Sequence, residues 1–193
     1  MERLATNSLL IPLLLLWLSV AARVASGKGN IYLQDACNVT QYHDLCVHSL
    51  ASFSRTAGKS PRRWARAGVS VTIREAKGIT QYMRGMKSTG SVRGKQGMVL
   101  SDCIECFQDG LDNLHQSLRV LRKLNAGKFD EQMNDVITWM SSALTDENTC
   151  FEGFGERNGD KLKVLIDKVV KVTYLTSNAL ALANKLASTG STA

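Results

Sequence analysis

Few side chains in this 193-residue chain are placed to do chemistry, and the cysteines come first. There are five: Cys37, Cys46, Cys103, Cys106 and Cys150. An odd count leaves one thiol over. The spacing predicts a bridge between Cys37 and Cys46 that closes a tight hairpin. Cys150 must then pair with Cys103 or Cys106, which stand three apart on one helix face, and spacing leaves both pairings open. In the loop-entropy account the short bridge contributes about 2.7 kcal/mol and the long one about 4 kcal/mol, before strain. His43, His48 and His115 are scattered, and His43 and His48 are five apart, so they do not share a helix face as a zinc pair does. No metal site and no cofactor is expected. Gly153 and Gly155 around Phe154 read as a turn and form no phosphate loop, and no nucleophile elbow occurs. Glu105, Asp109 and Asp112 are the carboxylates that suggest acid–base work. Neighbours on one exposed helix face lack the pocket that drives carboxyl pKa values apart. Cys106 has no local helper and reads as an unpaired core thiol. The chain therefore reads as a protein that is not an enzyme. Glu105, Asp109, Asp112 and Gln116 recur at i, i+4, i+7 and i+11, away from Phe107, Leu111, Leu114 and Leu118. That pattern is one polar stripe, either a solvated face or a docking face.

The elements that carry these residues are helices. Leu162, Leu165, Val169, Val172, Thr176, Ala179, Ala183 and Leu186 alternate at three and four, the seam of a packed helix. Lys161, Lys163, Lys168 and Lys171 fall mostly outside that seam, Asp160 is placed to cap its start, and Gly190 follows its end. A second helix is predicted from about residue 96 to 124, with Leu100, Phe107, Leu111, Leu114, Leu118 and Leu121 as its stripe and Asn125-Ala126-Gly127 as its stop. A third runs from about 129 to 144, with Phe129, Met133, Val136, Ile137, Met140 and Leu144 on one face. The first long helix opens at Ser60 and Pro61 and reaches about residue 87, weakened by Gly68 and Gly78. Four long helices on short loops predict an all-α, up-down-up-down four-helix bundle over residues 58–188. Residues 27–57 precede it as a helical hairpin holding the tight disulfide.

Composition narrows the class further. Apolar residues at 44% and aromatics at 6% exclude a disordered tail and a membrane bundle. Two prolines, Pro12 and Pro61, are too few for the turns of an all-β sandwich. Arg3, the run Leu9 to Leu18, and Val24 and Ser26 read as an export signal over residues 1–26, cleaved after Ser26. The run is short and interrupted by Pro12, whereas a span needs about 20 apolar residues. Gly190-Ser191-Thr192-Ala193 lacks the apolar tail of a lipid-anchor signal. The expectation is a soluble, secreted protein with no membrane segment in its mature form, in a compartment where disulfides persist.

Charge is uneven. The net charge is +7, and without residues 1–26 it is +6, from 22 basic and 16 acidic residues. Arg55, Lys59, Arg62, Arg63, Arg66, Arg74, Lys77, Arg84, Lys87, Arg93 and Lys95 are opposed between 55 and 95 by Glu75 alone. That window carries +10 and the rest of the mature chain −4. One flank should be strongly positive. Export argues against nucleic acid, so the positive flank is either a solvated face or a surface for an acidic wall polysaccharide or an acidic protein. Asn38-Val39-Thr40 is a glycosylation sequon, with Thr40 alternatively a helix cap, and Asn148-Thr149-Cys150 is a weaker sequon.

Several of these segments resemble one family. Cys37-Asn38-Val39-Thr40-Gln41-Tyr42-His43-Asp44-Leu45-Cys46 is similar to the first cysteine pair of the plant invertase and pectin methylesterase inhibitors. Ser101-Asp102-Cys103-Ile104-Glu105 resembles the start of that family's second pair. Thr138-Trp139-Met140-Ser141-Ser142-Ala143-Leu144-Thr145, followed by Asp146-Glu147-Asn148-Thr149-Cys150, resembles its most specific block, and Ser177-Asn178-Ala179-Leu180 its last helix. The resemblance implies bridges Cys37–Cys46 and Cys103–Cys150. It leaves Cys106 free at a position where the family usually has no cysteine, which raises mispairing with Cys150 or dimerisation. It implies a stand-alone secreted inhibitor of the apoplast. Invertase inhibitors carry a proline where this chain has Ala126-Gly127-Lys128-Phe129, so the resemblance favours pectin methylesterase as target, with invertase the alternative. It further implies that Glu105, Asp109 and Asp112 face the enzyme beside its pectin groove, joined by Thr149 and Glu152 near the fourth cysteine, where Phe151 departs from the family's polar residue.

Overall fold

Ser60 and Pro61 begin the first long helix as the sequence predicts: Ser60 Oγ accepts from the Arg63 amide (3.3 Å), and Pro61 occupies the first turn, where its missing N–H costs no bond. The computed structural model describes residues 30–155 and 159–190, so the export signal read in residues 1–26 lies outside the described residues, as do residues 27–29 of the expected hairpin. Helix α1 covers residues 30–37 and α2 covers His43–Leu50. A 3₁₀ turn, Ala51–Phe53, leads into the short α3, Ser54–Ala57. The long helices are α4 (Pro61–Ser88), α5 (Gly94–Arg122), α6 (Phe129–Gly153) and α7 (Asp160–Thr189), with a 3₁₀ turn at Ala126–Lys128 before α6. Each long helix packs on its chain neighbours, and α7 closes the ring against α4. The short connections turn successive helices back on one another, giving the expected four-helix bundle.

Most of the apolar stripe positions read from the sequence are buried, although Leu111, Ile137 and Leu144 are only half-buried. All eight seam positions of α7 are buried, from Leu162 to Leu186, with Ile166, Leu175 and Leu182 widening the stripe. The interior divides into two clusters, one at each end. One joins Trp64, Leu114, Leu121, Met133, Met140 and Leu186 to the bridged Cys37 and Cys46. The other joins Met83, Leu100, Phe107 and Leu165 to the bridged Cys103 and Cys150. Each disulfide therefore staples one end of the bundle. The hairpin is also tied to α7 through polar groups. The Asn178 amide receives the Tyr42 N–H (3.1 Å) and donates to the Tyr42 carbonyl (2.9 Å), beneath stacked Tyr42 and Tyr174 rings.

Four sequence expectations need correction. The third bundle helix does not stop at Leu144 but runs nine residues further, to Gly153. Thr145 and Thr149 return their hydroxyls to carbonyls one turn back, and Glu147 and Cys150 face inward, so the polar run continues the helical period. Asp160 is the first residue of α7 rather than its cap; Gly159 holds the cap position at φ 108°, a backbone that disfavours a side chain. Thr40 does not cap α2; its hydroxyl donates back to the Cys37 carbonyl (2.7 Å) and closes the end of α1. Gly68 does not weaken α4 in context. A Cβ there would stand 3.2 Å from both Ala179 Cβ and Leu182 Cδ1, so glycine permits the α4–α7 approach.

Candidate functional site

Glu105, Asp109 and Asp112 lie along the outer side of α5 and are exposed; Gln116, which the sequence placed with them, is half-buried. Glu105 and Asp112 are two turns apart, so their carboxylates spread over about 10 Å of helix. The inner side of the same helix carries Leu100, Phe107, Leu114, Leu118 and Leu121, all buried. Core packing therefore sets the direction in which the acids point. Cys103, buried one turn before Phe107, is bridged to Cys150 of α6. That bond, the pairing the resemblance implies, clamps α5 to α6 where Thr149 and Glu152 emerge exposed.

The α6 extension brings in residues that the sequence reading did not single out. Asp146 lies half-buried against α5, close enough to Asp109 for their charges to oppose each other. Its carboxyl is held above the ordinary value of 3.8, first by burial and then by Asp109, with Asn113 opposing through a hydrogen bond. Asn113 also donates to Ser142 Oγ (3.2 Å), so an amide of α5 spans to α6, while Asp146 Oδ2 is buried with no hydrogen-bond partner. Cys106 is half-buried in the same seam, not deep in the core. Burial raises its thiol above 9.0, and Asp146, Asp109 and Asp102 push the same way, so the thiolate is disfavoured. The α5–α6 surface thus forms one acidic face on two stapled helices. Continuing the period beyond Leu144 would have revealed it, since Ser142, Asp146 and Thr149 recur at i, i+4 and i+7.

Beneath this face lies Glu147, 1% exposed. Thr176 Oγ1 of α7 donates to its Oε1 (2.7 Å), while Oε2 is buried with no hydrogen-bond partner. Burial raises its pKa from 4.5 to about 8, Thr176 opposes and Asp146 adds. The group is therefore protonated at acidic and neutral pH. It has no opening to the acidic face through which it could act on a ligand, and its place is structural.

The positive segment resolves into parts with different jobs. Arg62 donates to the Leu121 carbonyl (3.0 Å) and the Arg122 carbonyl (2.8 Å), capping the end of α5. Arg63 donates to the Thr56 carbonyl (2.9 Å) and holds α3 against α4. Glu75 is taken by Lys171 (2.8 Å) and Arg74 (3.4 Å), which hold its carboxyl below 4.5. Asn38 is exposed beside α1, so its side chain is accessible. Among the described residues no cluster of three His, Cys, Asp or Glu could hold a metal, and no helix is long and apolar enough to cross a membrane.

Comparison with known proteins gives a consistent picture. The profile of the plant invertase/pectin methylesterase inhibitor family matches residues 32–182. The chain is 44% identical to Pectinesterase inhibitor 6 of Arabidopsis thaliana over 162 residues, 82% of this chain and 77% of that one. It is 34% identical to Pectinesterase inhibitor 9 of the same plant, covering 88% of this chain and 87% of that one. Among solved structures, a mutant form of a pectin methylesterase inhibitor from Arabidopsis superposes with a TM-score of 0.63 at 17% identity, over 77% of this chain and 92% of that one. This last likeness concerns the fold.

Proposed function

The chain belongs to the plant invertase/pectin methylesterase inhibitor family, and from that premise we propose that it is a proteinaceous inhibitor of pectin methylesterase. The observation that carries this reading is the 44% identity to Pectinesterase inhibitor 6, across most of both chains. The alternative target, invertase, has less support: Ala126-Gly127-Lys128-Phe129, here the 3₁₀ turn and the first residue of α6, lacks the proline of invertase inhibitors. The proposed active form is secreted to the apoplast, begins after Ser26 and carries a glycan at Asn38.

The docking face proposed is the α5–α6 surface: Glu105, Asp109 and Asp112, with Thr149 and Glu152 at its edge. The inhibitor makes and breaks no bond. It forms a stoichiometric complex in which a rigid helix face covers the enzyme's pectin groove. Rigidity matters because every side chain or loop ordered on binding subtracts from affinity. The Cys103–Cys150 bridge and the buried stripe of α5 arrange the acids before the enzyme arrives. Exposed carboxylates steer the encounter and fix its register. Anionic pectin is proposed as a second ligand, engaged by part of the positive flank built from residues 55–95.

Titrating the purified protein against a pectin methylesterase and against a wall invertase tests the reading. Stoichiometric loss of esterase activity with invertase untouched is expected. Inhibition of invertase alone would transfer the assignment to the alternative. Polygalacturonate binding with neither activity would replace it with a wall-binding bundle that inhibits nothing.

A further inference from the structure

Between α3, the start of α4 and the end of α5 lies an open cleft of about 530 Å³ whose walls carry Arg55, Arg63, Arg66 and Arg122. Its formation follows from contacts already described. Arg62 draws the last carbonyls of α5 against α4, which delivers Arg122 to the cleft although it lies far outside the basic segment in sequence. Arg63 reaches Thr56 with one nitrogen, fixing α3 and its neighbour Arg55 on the opposite wall. Among the described residues no acid lines the cleft, and α4 has no acid in its first turn to offset the positive end of its dipole. None of the ion pairs among the described residues involves these four arginines. Four guanidiniums gathered without a counter-charge repel one another, and an anion seated among them relieves that repulsion.

We propose that this cleft is a binding site for de-esterified pectin, a linear polyuronate. The spread of its arginines over three elements suits a chain with a carboxylate on each sugar better than a single compact anion. Guanidinium forks pair with carboxylates through two parallel hydrogen bonds, which a lysine patch does not match. Phe53 supplies an apolar wall for a sugar ring. The ligand class rests on the reading of the preceding subsection, because removing methyl esters from pectin produces this polyanion. The cleft then holds the inhibitor on stretches of wall where the target enzyme has been active. Arg122 lies ten residues beyond Asp112 on α5, about 15 Å along the helix, so the cleft and the acidic face are separate surfaces.

The test is retention of the purified protein on immobilised polygalacturonate and on fully methyl-esterified pectin, with increasing salt. The wild type should be held by polygalacturonate and pass through the esterified column. The variant Arg55→Gln/Arg66→Gln/Arg122→Gln should bind polygalacturonate about tenfold more weakly, or worse, from three exposed or half-exposed ion pairs lost. The variant Arg84→Gln/Lys87→Gln/Lys95→Gln removes the same charge from the far end of α4 and beyond, and should bind as the wild type does. Arg55→Gln/Arg122→Gln, which changes exposed side chains only, serves if the triple variant misfolds. Equal weakening by the two triple variants, no weakening by the cleft variants, or equal retention on esterified pectin overturns the proposal. Inhibition of soluble pectin methylesterase by each variant is measured in parallel. Unchanged inhibition with lost retention is expected, and absent inhibition by the wild type would instead count against the inhibitor reading.

Discussion

Replacing Glu147 with Gln should change how stability depends on pH. Glu147 is a carboxyl sealed between α6 and α7, with one oxygen on Thr176 and the other unpartnered. Its pKa is about 8 when folded, against an ordinary 4.5 when exposed. The native state thus binds this proton more tightly than the unfolded state does. Stability from the group is fully present below about pH 4.5 and declines as pH rises through the folded value near 8. The slope approaches roughly 1.4 kcal/mol per pH unit, on the order of 4 kcal/mol across the interval. That is a large share of a typical total of about 5–15 kcal/mol. Asp146, also raised, acts in the same direction, whereas His115, lowered from 6.5 by burial and then by Lys77, acts oppositely because its neutral form is favoured as pH rises. Glu75, with its lowered carboxyl, contributes stability that is fully present above about pH 4.5 and is lost only as pH falls below it. Comparison with Glu147→Gln isolates the one group, since the others are common to both proteins and Gln copies the shape of the protonated acid. Urea midpoints at about pH 5, 6, 7 and 8 are the measurement. The two proteins should nearly coincide at the acidic end and diverge toward the alkaline end, with Gln the more stable. Parallel curves across the range would refute the assignment of a protonated buried Glu147.

Two other predictions follow from packing and charge. Gly68→Val should lower stability by about 2 kcal/mol or more, because added carbons meet Ala179 and Leu182 at a contact already 3.2 Å from the first of them; thermal melts check this, and unchanged melting would show that α4 and α7 separate freely. Cys106 in the folded protein should react with iodoacetamide at neutral pH at least about tenfold more slowly than in the urea-unfolded, unreduced protein, because burial and three aspartates disfavour its thiolate; equal rates would contradict the geometry around it.

How far the sequence reached can be traced residue by residue. The α7 seam was visible because an amphipathic helix must bury one stripe, and the positions at alternating three and four are the buried ones. The Glu105, Asp109 and Asp112 stripe was visible for the complementary reason. The α6 extension was only partly legible: the Ser142, Asp146 and Thr149 spacing carries the helical period onward, but Glu147 and Cys150 are buried by partners on other elements, Thr176 and Cys103. Both partners are distant in sequence, and local propensity is blind to them. The arginine cleft was half visible. The charge excess was plain, but Arg122 joins only through Arg62, and neighbours such as Arg74 are spent on Glu75. Gly68 was misjudged because helix propensity counts the missing side chain as a loss, while the α4–α7 contact depends on that absence.

The central claim, that a stapled acidic helix face acts by covering the enzyme, is tested most directly by the inhibition constant of Asp109→Lys/Asp112→Lys toward pectin methylesterase. The two exposed carboxylates contribute nothing to the core and Asp109 repels Asp146, so the variant should keep the wild-type circular-dichroism spectrum and melt no lower than the wild type. Its inhibition constant should rise by about tenfold or more, since reversing docking charges converts attraction into repulsion. A folded variant that inhibits as strongly as the wild type would contradict the account.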